Sequence, residues 1–147
     1  MSLTRRELCL MLPALLPAVA IAEDLSAQDA SLPSATWTYE QLPLDTSPGG
    51  AETRPVVKGK LATGELLEVH ETVLPPGGMP HPGHHHVHSE MWLVREGTVE
   101  LNINGTRHRI GPGGVGFVHS NDEHAITNVG TTAAKYFVVA VGPGAGS

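Results

Sequence analysis

The chain is poor in several residue types, and each shortage removes a class of explanation. It has one cysteine, Cys9, so no disulfide can form within it. Nine Lys and Arg stand against fifteen Asp and Glu, a formal charge of -6, with no basic stripe. A nucleic-acid surface is therefore excluded, because phosphate binding needs clustered cations. No apolar run reaches the roughly 20 residues needed to span a bilayer. The longest, Cys9 to Ala22, is interrupted by Pro13 and Pro17. Strong helix-forming runs are few, and Trp, Tyr and Phe occur only twice each.

What is abundant is Gly (17), Pro (12) and His (9). Gly and Pro at this level favour short strands joined by tight turns, and 147 residues suffice for one domain with a real core.

The first residues belong outside the fold. Thr4-Arg5-Arg6-Glu7-Leu8 precedes the apolar run, and Ala20-Ile21-Ala22 offers a small-x-small cleavage site. The paired arginines resemble a twin-arginine signal, which implies export of the folded chain to the periplasm or beyond. Cys9 lacks the small preceding residue that lipidation requires. Cleavage after Ala22 would leave seven basic and fourteen acidic residues, a charge of -7, no cysteine and no stable membrane span. Any catalysis must then come from His, carboxylates, hydroxyls or a metal.

The remaining chain divides into a leader and N-terminal arm (23–50), a strand-rich body (51–141) and a loose tail (142–147). Trp37 to Leu44 is expected as an edge strand and Asp45 to Glu52 as a loop. From Glu65 the alternation is clear. A strand runs to Pro75-Pro76-Gly77-Gly78, and Met91 to Val94 is followed by a turn at Gly97. Val99, Leu101 and Ile103 alternate with polar residues, and Asn104-Gly105 signals a type I′ hairpin into Thr106 to Ile110. Val115 to Val118, His124 to Val129 and Lys135 to Val141 complete a series that predicts a sandwich or closed barrel.

The chemistry concentrates in His84-His85-His86-Val87-His88-Ser89-Glu90. Residues i and i+2 of a strand share a face, so His84 and His86 project together and Glu90 can return a carboxylate to the same ion. His124, on a later strand, supplies a fourth ligand from the opposite wall. His88 and Trp92 share that parity and are candidates for the pocket. His119 and Asn128 are candidates for its surroundings, while His85 and His81 are expected at the surface.

Gly78, five residues, His84-His85-His86, three residues, Glu90, six residues and Gly97 resemble the first motif of the cupin superfamily. Gly113 and the His124–Asn128 pair resemble part of the second, although His119 and Asn121 replace the usual Pro and Gly. The resemblance extends from about Glu65 to Val141 and is to small single-domain members. It implies an all-β, double-stranded β-helix (jelly-roll) barrel, with one divalent metal on His84, His86, Glu90 and His124. Mn or Fe is favoured, and Ni, Cu or Zn also suits the ligands. It leaves two functions open: a metal-dependent, oxygenase-like enzyme acting on a small oxygen-rich molecule, or a non-catalytic binding module. Pairing into a homodimer through N-terminal strands is also consistent with it.

Overall fold

The computed structural model describes residues 31–146, so the segment read as an export signal and the first part of the expected leader lie outside the described residues. Nine strands follow a short 3-10 turn at Tyr39–Gln41: β1 Asp45–Thr46, β2 Glu52–Lys60, β3 Leu66–Leu74, β4 Ser89–Glu96, β5 Val99–Ile103, β6 Thr106–Ile110, β7 Val115–Val118, β8 His124–Asn128 and β9 Ala134–Val141. They form a six-stranded sheet in the order β1-β2-β3-β9-β4-β7 and a three-stranded sheet in the order β6-β5-β8. Every pairing is antiparallel. Chain-distant β3, β9 and β4 lie side by side, which is the jelly-roll arrangement expected from the sequence.

Alternation fixes which side chains fill the space between the sheets. Leu74, Trp92, Val94, Val118, Tyr136 and Val138 of the larger sheet meet Val99, Leu101 and Ile126 of the smaller one. Burying each large apolar side chain contributes roughly 1.5–3 kcal/mol. At Gly116 the larger sheet has no room for a side chain, since a Cβ there would stand 2.1 Å from Leu101 Cδ1 of the smaller one. At the expected hairpin Asn104 and Gly105 take φ of 48° and 81°, as a type I′ turn requires.

Two expectations need correction. Trp37 to Leu44 does not form an edge strand; the chain makes the 3-10 turn there, and the edge is the two-residue β1, inside the segment read as a loop. Arg54 holds this arm in place, donating to the Leu42 carbonyl at 2.8 Å and lying 4.3 Å above the Tyr39 ring. The tail is tied down, since Gly142 N–H donates to the Leu66 carbonyl and Ala145 is buried.

Candidate metal centre

Three segments bring the four sequence-predicted ligands together. Glu90 sits on β4 and His124 opens β8. His84 and His86 lie in the connection before β4, not in a regular strand, so the strand parity argued for them does not apply. His84 is instead positioned by a single antiparallel bridge to His124, each backbone N–H donating to the other's carbonyl at 3.1 and 2.8 Å. That bridge prolongs the small sheet beyond β8 and places both rings at one end of the barrel.

Ring orientation follows from backbone acceptors. His86 Nδ1 is 2.9 Å from the His88 carbonyl and His124 Nδ1 is 2.9 Å from the Asp122 carbonyl. Protonation at Nδ1 leaves each Nε2 lone pair pointing inward, the tautomer a metal ligand needs. Glu90 Oε2 lies 3.2 Å from His86 Nε2 and 3.2 Å from His124 Nε2. Two donor atoms each about 2.1 Å from one ion and about 100° apart are separated by about 3.2 Å. The ligand atoms of His84, His86 and His124 all lie within 4.8 Å of one another. His84 Nδ1 is buried without a hydrogen-bond partner, an arrangement that costs stability unless something else satisfies it. Three imidazoles, one carboxylate and that orphaned nitrogen fit a divalent ion.

The electrostatics agree. Burial pushes the Glu90 carboxyl up, but hydrogen bonding to His124 and the charges of His86 and His124 outweigh it and hold its pKa below the usual value. Burial pulls His124 down, yet Glu90 and the Asp122 carbonyl raise it overall. His84 is lowered, by burial and then by the neighbouring His81, His124 and His86, so it presents a neutral ring.

The other candidates separate. Trp92 is buried with its ring 5.5 Å from that of His124, and it lines a cavity of about 210 Å³ beside Glu90. His88 stacks on His86 at 3.5 Å and lines the mouth. His119 does not join the site: its exposed ring turns to the Ser120 carbonyl. Asn128 is fully buried at the far end of β8 and serves the backbone, donating to Leu74 and Thr132 carbonyls at 2.8 Å and accepting from Gly130 N–H at 2.9 Å. His85 is exposed, as expected. His81 is exposed too, as expected, while its ring lies 4.2 Å from that of His84 and lines the cavity. Sequence reasoning missed His70 and Tyr136, which line its inner wall. The available signal was the polar set Glu68, His70 and Thr72 at alternate positions of one strand.

A family model described as "Cupin domain" matches residues 70–140, a stretch holding all four candidate ligands. No curated protein matches the chain significantly. Among solved structures, an RmlC-like cupin from Shewanella frigidimarina is 19% identical with a TM-score of 0.65, over 76% of this chain and 94% of that one. A predicted oxalate decarboxylase from Thermotoga maritima is 19% identical with a TM-score of 0.63, over 74% and 99%. The polyketide cyclase RemF from Streptomyces resistomycificus is 18% identical with a TM-score of 0.57, over 74% and 79%. At these identities the likeness is one of fold.

Proposed function

From the match of residues 70–140 to a cupin-domain model and the shared fold, we propose that the protein is an exported metal-dependent cupin enzyme, oxygenase-like in its chemistry, acting on a small oxygen-rich molecule. His84, His86, Glu90 and His124 would hold one divalent ion, with Mn or Fe favoured. The observation that carries this reading is Glu90 Oε2 at 3.2 Å from two Nε2 atoms, beside a cavity of about 210 Å³. An ion held by four protein ligands keeps one or two open positions and would act there as Lewis acid or oxygen-activating centre. The chain's own part is to hold the two Nδ1–H tautomers, to keep Glu90 ionised, and to wall the reacting space with Trp92, Ile126 and Val138.

Export rests on Arg5-Arg6, the apolar run and Ala20-Ile21-Ala22. Loading before folded export favours the metals of the cytoplasm. A homodimer through the N-terminal strands belongs to the same proposal, and light scattering on the mature protein tests it.

The deciding experiment is elemental analysis of untagged protein recovered from the periplasm, followed by oxygen uptake with phenols, diketones and sugar acids. About one Mn or Fe per chain with oxygen consumption supports the enzyme. Absence of metal even after reconstitution overturns the centre.

The second reading is a binding module whose metal anchors a metabolite. In its favour, the cavity is walled largely by strand residues, with only Pro80 and His81 coming from the connection between β3 and β4. A ligand-dependent rise in Tm without product distinguishes it.

A further inference from the structure

Across the six-stranded sheet, Glu68, Ala140 and Glu90 are Cα partners in one row, and His70, Val138 and Trp92 form the next. Glu68 and His70 therefore share the inner face with Glu90, two strand spacings away, roughly 10 Å. The strand between them presents only Ala140 and Val138, which leaves open space. His70 lines the same cavity as Glu90 and His124. Its Nδ1 is 3.5 Å from Glu68 Oε1, which leaves Nε2 as the ring nitrogen for the cavity. No lysine or arginine lines that cavity, and its polar lining away from the four candidate ligands is the Thr53 and Thr72 hydroxyls, the Tyr136 phenol and the rings of His70 and His81. A cavity of 150 Å³ accommodates benzene, so this one takes a six-membered ring with a few substituents.

We propose that the cavity binds a small molecule carrying two adjacent oxygens, at least one a hydroxyl, and that His70, oriented by Glu68, accepts the hydroxyl proton on binding. The inference rests on the metal-centre reading above. The O–H bond breaks, its electron pair stays on oxygen, and the proton forms an N–H bond at His70 Nε2. Glu68 balances the imidazolium that results, and no further reactant is required. A divalent ion at the four-residue centre would supply the positive charge that draws both oxygens to that side of the cavity. Burial holds the His70 pKa below its ordinary value despite the carboxylates of Glu68 and Glu90. The ring is therefore neutral at pH 7, and the imidazolium it would form depends on the Glu68 carboxylate 3.5 Å away.

The test uses the mature chain loaded with zinc, which has no redox chemistry, and catechol as probe. Calorimetry at pH 7 in two buffers of different ionisation enthalpy counts protons. The wild type is expected to bind catechol and release none to the buffer, because the protein keeps the proton. His70→Gln should keep one zinc per chain and lose affinity about tenfold to a hundredfold, the cost of an unmade charge-assisted hydrogen bond. Glu68→Gln should keep zinc and weaken binding less. Release of a full proton by the wild type, or wild-type affinity in folded His70→Gln, overturns the assignment. Zinc loss in His70→Gln also overturns it, by making the ring a metal ligand. Failure of the zinc-loaded wild type to bind catechol overturns the ligand class and leaves the metal centre standing. A wild type that takes up no zinc overturns the centre, and this inference with it.

Discussion

Glu90 is the one carboxylate touching two ring nitrogens, so its removal is the sharpest residue-scale test. Glu90→Ala should strip the metal while the barrel's circular dichroism is retained, because Glu90 lies at the cavity and outside the apolar core. The same contacts set a pH dependence. Metal binding needs deprotonated imidazoles, and His124, with its raised pKa, takes a proton first as the pH falls. Metal affinity should therefore begin to fall while the pH is still above 6.5, as a titration followed by metal release will show. Asn128 acts on stability alone. Its side chain satisfies three backbone groups, so Asn128→Ala should cost about 3 kcal/mol, at roughly 1 kcal/mol or more for each group left unpaired. Urea unfolding measures this, with metal content unchanged in the folded fraction.

At the scale of strands and turns, two glycines that look alike in sequence should behave differently. Gly105 has φ +81° with nothing within 4 Å of an added Cβ, so Gly105→Ala should cost only the roughly 1–2 kcal/mol of a left-handed alanine. Gly97 has φ +75°, and its Cβ would meet Ala134 Cα at 2.7 Å and the Ala133 carbonyl at 2.8 Å. Gly97→Ala should cost clearly more, read as a larger fall in urea midpoint. Such turns were legible in the sequence, as were the strands from Leu66 onward, because alternation and the Gly and Pro breaks coincide. β2 was not legible, since Pro55 and Gly59 interrupt its pattern. The sheet absorbs them with a register shift between Pro55 and Val57. The four candidate ligands were picked out by their match to the cupin motif rather than by strand parity, since His84 and His86 lie outside regular strands. The inner wall was not, because which face of β3 points inward depends on the whole sheet. Both faces of that strand hold buried polar groups, Glu71 on one and Thr72 on the other. Glu71 is kept there by Arg95 at 2.5 Å.

For the molecule as a whole, metal and barrel should be thermodynamically linked. An ion that binds only the folded chain adds about 4 kcal/mol at a thousandfold excess over its Kd, so chelation should lower the Tm by several degrees and restored metal should recover it. The mass of exported protein should correspond to a chain beginning at Glu23, and replacing both Arg5 and Arg6 with Lys should keep the precursor in the cytoplasm.

The reciprocal pair of hydrogen bonds between His84 and His124 also has a consequence for speed. They close the long excursion between these residues through backbone groups alone, which need no ion to pair, so the chain has little search left to make when one binds. Loading of the apo barrel should therefore be a single rapid phase whose rate follows how quickly each ion sheds its water, with no slow rearrangement behind it.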